Sequence, residues 1–253
     1  MLTEAQRDQF DVVLVSPRNP LNIGAAARAM ANFGFARMKV VAPYAPHWRE
    51  ARSAVGAPEL LKDARETATL AEAVADCALV IGTGTLAHRK PEQPVISLPS
   101  LFSHVPRALA GAGRIAMVFG PEKHGLTRED LSYCHLLVQI PTDARQPSMN
   151  LGQAVAVCLY ELAIRALPGA ENSHEAIPPE TEIAPHAVAS GTLDALAELI
   201  EKAMAAADYS PRAMRAANHH DLRLLLRRLN LNSADTKRAL GLFRRILWRL
   251  ERR

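Results

Sequence analysis

An arginine on a helix of small residues is the first feature that could do chemistry. In "NPLNIGAAARAM" (19–30), Arg28 follows Asn22 by six positions, among Ile23, Ala25, Ala26, Ala27, Ala29 and Met30. A guanidinium keeps its proton at physiological pH, so it acts as a fixed cation and is a poor proton carrier. Such a residue is either a surface charge, half of a salt bridge, or the partner of an anion. Three other segments place unusual residues after apolar runs. "IGTGTLAHR" (81–89) offers Thr83, Gly84 and Thr85, small residues past which a ligand can approach the backbone. "MVFGPEKHGLTREDL" (117–131) ends an apolar run at Gly120 and carries Glu122 and Lys123 in a turn before Gly125. "IPTDARQPSMNLGQAVAVCLYEL" (140–162) leads from Ile140 through a polar loop, with Pro147, Ser148, Met149 and Asn150 entering a helix. Taken singly, turn residues and N-caps account for each of them.

The elements that must position these residues follow from the apolar pattern. Short continuous runs, "VVLVS" (12–16), "MKVVAP" (38–43), "ALVIGTG" (78–84), "RIAMVFG" (114–120) and "HLLVQIP" (135–141), read as strands. Between them lie helices from about Asn22, over 65–77, near 100–111, from about Thr127, and from about Asn150 to Leu167. Continuous apolar strands alternating with helices predict an α/β fold, a parallel sheet with helices on both faces. Ligands of such sheets sit beyond the carboxyl ends of the strands, where all four segments fall.

Residues 168–191, rich in Pro, Glu and Ala, read as a linker between a domain at 1–167 and a helical extension at 192–253. Ser210 and Pro211 suggest a cap and first turn before two basic helices. In the last helix Leu240, Phe243, Leu247 and Leu250 share one face. The net charge of +4 is uneven: residues 210–253 carry twelve Lys or Arg against three acids, so residues 1–209 carry −5. A basic tail on an acidic body suggests a polyanion partner, or else a solvated helix face. An extension of this size builds little core alone and is expected to pack on the main domain or on a second subunit.

Three distant cysteines, Cys77, Cys134 and Cys158, with no C-x-x-C pair, argue against a disulfide framework or a zinc site. No apolar run approaches the ~20 residues that span a bilayer, and "MLTEAQRDQF" lacks a signal-peptide core. A cytoplasmic protein without a membrane or metal partner is the expectation. The G-x-G-x-x-G and P-loop signatures are missing, which disfavours nicotinamide and ATP chemistry.

"NIGAAAR" (22–28), "FGPEKHGL" (119–126) and "IPTDARQPSMNLGQA" (140–154), in that order, resemble the three motifs of the SPOUT (SpoU-like) RNA 2′-O-ribose methyltransferases. The resemblance covers residues 10 to about 167. "NHHDLRLLLRRLNLNSADTKRALGLFRRIL" (218–247) is similar to the C-terminal extension of the TrmJ branch, which methylates tRNA at position 32, in the anticodon loop. The resemblance implies a trefoil-knotted domain, a homodimer with a shared active site, tRNA as substrate and S-adenosyl-L-methionine as cofactor. It places Thr83, Gly84, Thr85, Gly120, Ile140, Pro147, Ser148 and Met149 at the cofactor, and gives Arg28, Ser148, Asn22 and Glu122 catalytic roles. Arg28 would hold a phosphate and stabilise the developing ribose alkoxide, although the family proposal also has it take the proton. Asn22 would set the geometry around Arg28, Ser148 would contact ribose or phosphate, and Glu122 would organise the loop or the subunit contact. Two positions depart from the motif: Pro147 stands where many relatives have serine, and Met149 where leucine is common. A relative acting on ribosomal RNA or another tRNA position, and a non-catalytic RNA-binding protein, are the alternatives.

Overall fold

The computed structural model describes residues 2–84, 91–109, 113–164, 188–209 and 214–252. Its strands are β1 (Phe10–Val15), β2 (Arg37–Val41), β3 (Arg65–Thr67), β4 (Cys77–Thr83), β5 (Val95–Ser97), β6 (Arg114–Phe119) and β7 (Leu136–Gln139). The helices of the first half are α1 (Glu4–Arg7), α2 (Pro20–Phe33), α3 (Pro58–Asp63), α4 (Leu70–Val74), α5 (Leu101–His104) and α6 (Pro106–Leu109). The second half adds α7 (Arg128–Ser132), α8 (Leu151–Ile164), α9 (Ser190–Ala206), α10 (Arg215–Arg228) and α11 (Ser233–Leu250). The strands form one sheet in the order β3-β2-β1-β6-β4-β7-β5, and every ladder is parallel.

Side-chain alternation divides the core between the two faces of this sheet. From β1, Phe10, Val12 and Leu14 join α2 and α8, while Val13 and Val15 join α4 and the Leu126–Cys134 segment. The expected α/β sheet with helices on both faces is therefore present. No described helix is long and apolar enough to cross a membrane.

Three local expectations change. The helix read over 65–77 is instead a short edge strand, Arg65–Thr67 beside Lys39–Val41, followed by α4 with Thr69 as its N-cap. Pairing to the sheet overrides local helix propensity there. The helix expected near 100–111 is two short ones, because Pro106 has no N–H to continue α5. Strand β5 at the far edge, three residues long, had no sequence signal of its own.

At the amino ends of the strands Asp11 is fully buried. It accepts hydrogen bonds from Arg37 (3.1 Å) and from Nε and Nη2 of Arg114, and lies 2.8 Å from Lys39 Nζ. Lys39 also reaches Asp76 at 2.8 Å. Burial pushes the three free thiols up, to about 12 for Cys134 and Cys158, so none is poised as a thiolate.

Two of the C-terminal helices pack on the main domain, α9 on α4 and β4 and α10 on α7, and α11 packs on α9. Leu240 and Phe243, two of the four residues read as the apolar face of the last helix, pack with Leu196, Ala197, Ile200 and Leu226, while Leu247 and Leu250 stay half-buried outside this cluster. Two residues counted among the tail's cations serve this docking. Arg223 and Arg227 are buried; Arg223 pairs with Glu129 (2.8 Å) and lies 4.2 Å from the Tyr133 ring centroid, and Arg227 pairs with Asp194 (2.9 Å). Most of the segment read as a linker, up to residue 187, and the Ser210-Pro211 cap lie outside the described residues.

Candidate functional site

Four chain segments meet beyond the carboxyl ends of β1, β6, β4 and β7. After β1, Asn19 caps α2 by accepting from the Leu21 N–H (2.9 Å), with Pro20 in the first turn. After β6, the chain from Gly120 to Leu126 folds back so tightly that a Cβ on Gly120 would stand 2.2 Å from the Leu126 backbone nitrogen. Only glycine permits that closure. After β7, residues 140–150 run as an extended loop into α8, whose Gly152 N–H donates to Asn150 Oδ1 (2.9 Å). After β4, the Thr83 hydroxyl donates across the sheet to the Val118 carbonyl (2.9 Å), and Gly84 follows.

One connected set of hydrogen bonds joins three of these segments. Glu122 accepts from the Arg18 and Asn19 backbone N–H groups (3.1 Å each) and from the Asn22 amide (2.8 Å). Asn22 Oδ1 in turn accepts from the Asn150 amide at 2.8 Å. Burial pushes the Glu122 carboxyl up, but the Asn22 amide and the two backbone donors outweigh it and hold it below the usual range. The carboxylate is thus an anchor for the loop that precedes α2 and is not poised as an acid or base. Glu122→Ala, which strands those donors, is expected to cost about 2 kcal/mol in a denaturant melt, with Glu122→Gln intermediate.

These segments enclose a cavity of about 290 Å³. Thr83, Gly84, Gly120, Glu122, Ile140, Pro147, Ser148 and Met149 all line it. Thr85 lies outside the described residues. Asn22 reaches the cavity only through Glu122, and its side chain is bonded to Glu122 and Asn150, not to Arg28. Arg28 does not line the cavity; it is exposed on α2 and makes no hydrogen bond or ion pair among the described residues. Asn150 is the member of this network that sequence reasoning treated as a helix cap alone. Its position inside the third quoted motif was the available signal. His135 stands just before β7, at the end of the strand away from the cavity, and its Nδ1 accepts from the Val80 N–H (3.1 Å); desolvation pushes its pKa down to about 3, so it stays neutral.

The profile of the SpoU rRNA Methylase family matches residues 9–160, more than half of the chain. The chain belongs to this family. Among curated relatives, TrmJ of Pseudomonas aeruginosa, a tRNA (cytidine/uridine/adenosine-2′-O-)-methyltransferase, is 40% identical over 156 residues, 61% of this chain. The tRNA (cytidine-2′-O-)-methyltransferase TrmJ of Methanocaldococcus jannaschii is 39% identical over 156 residues, 60% of this chain. The chain spans 60% and 66% of the lengths of these two relatives. The crystal structure of TrmJ from Z. mobilis ZM4 superposes with a TM-score of 0.77 at 29% identity, covering 93% of this chain and 98% of that one.

Proposed function

We propose that this SpoU-family protein transfers the methyl group of S-adenosylmethionine to a ribose 2′-hydroxyl of tRNA, at position 32 in the anticodon loop, as a homodimer. The observation that carries this proposal is the Glu122–Asn22–Asn150 network, which fastens the three motif segments around one cavity. The TrmJ relatives support the substrate class. A cytoplasmic location and the trefoil knot belong to the same proposal. The free thiols support the former, and the path of residues 140–150 past the Gly120–Leu126 loop into the cavity wall supports the latter.

The cavity suits a bent nucleoside cofactor. Phe119, Ile140, Met149 and Leu151 supply apolar walls, and a Cβ on Gly84 would meet nothing within 4 Å among the described residues, which suits a ligand against the backbone. When bound, the cofactor supplies an electrophilic methyl group on a sulfonium. Thr83 and Gly84 offer backbone groups to it, and Ser148 places a hydroxyl at the mouth toward ribose or phosphate. Glu122 and Asn22 fix the loop before α2, and Asn150 holds the start of α8. Arg28 supplies a fixed cation for the target phosphate and for charge developing on the ribose oxygen. Because Arg28 lies off the cavity of its own chain, the dimer would bring it to the cavity of the other copy. Exposed Leu21, Met149 and Tyr160, on α2 and α8 and just before α8, supply an apolar surface for that pairing.

The exposed cations of α11 and of the turn just after it fit the tRNA backbone. Arg245 and Arg252 lie 4.4 Å and 4.1 Å from the Trp248 ring centroid, which pre-orders both guanidiniums. Replacing Arg245, Arg249 and Arg252 together by alanine is expected to flatten the slope of log affinity against log salt by about 2 to 3.

The test is methyl transfer from labelled S-adenosylmethionine to an unmodified tRNA transcript, with mass-spectrometric mapping of the product. A 2′-O-methyl nucleotide at position 32 is expected. Transfer to ribosomal RNA alone would replace the substrate, and failure to bind the cofactor would overturn the enzymatic role.

A further inference from the structure

Beyond β2 the chain turns at Ala42 and sets Tyr44 on the surface, 75% exposed, with its backbone N–H donating to the Pro17 carbonyl (3.2 Å). Pro17 and Arg18 follow β1, the neighbouring strand. The Arg18 guanidinium lies 5.4 Å from the Tyr44 ring centroid and makes no hydrogen bond or ion pair among the described residues. The Arg18 backbone is bonded to Glu122, which lines the cavity. An unbroken run of contacts therefore leads from the cavity to Tyr44. Across the sheet, β2 and β6 are two strand spacings apart, about 10 Å.

We infer that Tyr44 and Arg18 form a subsite for an unpaired nucleotide flanking the methylated ribose, which rests on the RNA-methylating function proposed above. The phenol ring stacks the base and the guanidinium holds the adjoining phosphate.

Two observations favour an RNA nucleotide. The first is the ring itself. A tyrosine this exposed, with a cation beside it, offers a ready stacking surface, and sequence-tolerant stacking on aromatics is how unpaired bases are held. Trp248, by contrast, already has two guanidiniums on its ring and only 39% of its surface exposed. The second is charge. Residues 1–209 are acidic overall, yet at this end of the sheet Arg18, Arg52 and Lys123 have no carboxylate partner among the described residues. Arg52 belongs here because the next residue, Ser53, donates to the Leu21 carbonyl in the first turn of α2 (2.7 Å). Of the nearby carboxylates, Glu66 pairs with Arg49 (2.9 Å) and Glu122 holds the loop, which leaves the exposed Glu50 as the one opposing charge among them. The rim of an acidic domain thus presents uncompensated positive charge around an open aromatic face, the arrangement that suits a single-stranded polyanion.

The test uses the full chain with Tyr44→Ala, Tyr44→Phe and Arg18→Gln. Binding of an unmodified tRNA transcript, methyl-transfer kcat/KM and calorimetric cofactor binding are measured for each. Tyr44→Ala is expected to weaken tRNA binding and kcat/KM about ten- to a hundred-fold, the scale of one lost base stack. Tyr44→Phe should match wild type. Arg18→Gln should weaken tRNA binding and flatten its salt slope by about 0.7. Cofactor affinity should not change in any variant. A Tyr44→Ala protein that binds and methylates tRNA as wild type does would overturn the subsite while the proposed function stands. So would one that has also lost the cofactor, since that marks a structural role. Wild-type protein that binds tRNA through Tyr44 but transfers no methyl group would sustain the subsite and overturn the function.

Discussion

Replacing Arg28 by alanine is expected to lower turnover on tRNA by about 10²- to 10³-fold while cofactor affinity stays at the wild-type value. The side chain is exposed, pairs with nothing among the described residues and does not line the cofactor cavity. Its loss therefore removes no packing and no hydrogen bond from the fold, and alanine is the better helix former at that site. The thermal midpoint should hold or rise slightly. What disappears is a cation that holds the target phosphate and meets the negative charge building on the ribose oxygen, so kcat falls most and KM for tRNA rises by a smaller factor. Arg28→Lys should recover part of the rate, since an ammonium keeps the charge but loses the planar fork that grips a phosphate. Single-turnover transfer with saturating cofactor measures this directly. A variant reacting at the wild-type rate would remove Arg28 from the chemistry altogether.

The second large effect is on stability. Asp11→Ala is expected to cost about 3 kcal/mol, because it takes the fully buried carboxylate away from Lys39 and Arg114 and leaves them only the half-exposed Asp76. Against a typical total of 5–15 kcal/mol, that moves the protein close to its unfolding threshold. The midpoint should drop by roughly 10 °C. Burial pushes the Asp11 carboxyl up, but the hydrogen bonds from Arg114 and Lys39 outweigh it and hold it below its ordinary value. Asp76 is lowered in the same way, with Lys39 as its main counterweight to burial. Groups whose folded pKa is depressed add stability that is fully present above the unfolded value, about pH 4. That contribution is lost as pH falls through the folded value. Wild-type urea midpoints should therefore be level near neutrality and fall below about pH 4, and the Asp11→Ala protein should show a shallower acid limb.

The strands that flank the cavity were legible in the sequence because each is a continuous apolar run, and the runs ending at Val15, Thr83, Phe119 and Gln139 all end beside the site. Strands β3 and β5 were not. Three residues at a sheet edge carry no period, and only the neighbouring backbone makes Arg65–Thr67 a strand. The motif residues were legible as types in order, yet their connections were hidden. Glu122 binds two backbone N–H groups, which leave no trace in residue identity, and Asn150 looked like an ordinary cap. Burial of Arg223 and Arg227 was equally invisible, since counting charges cannot separate a guanidinium aimed at solvent from one laid on Tyr133.

The strand order has a consequence for how the chain acquires its shape. Strand β1 lies between β2, which follows it closely, and β6, whose Ile115 pairs with Phe10 across about a hundred intervening residues. A nascent chain that has not yet exposed β6 holds β1 with one edge open, and β4 lacks both of its neighbours. Such edges attract other strands until they are covered. The last described part of the cavity wall, Pro147 to Ala154, emerges from synthesis later still. The ligand pocket is thus among the last parts of the domain to exist during synthesis, and it forms only once the open edges beneath it have been closed.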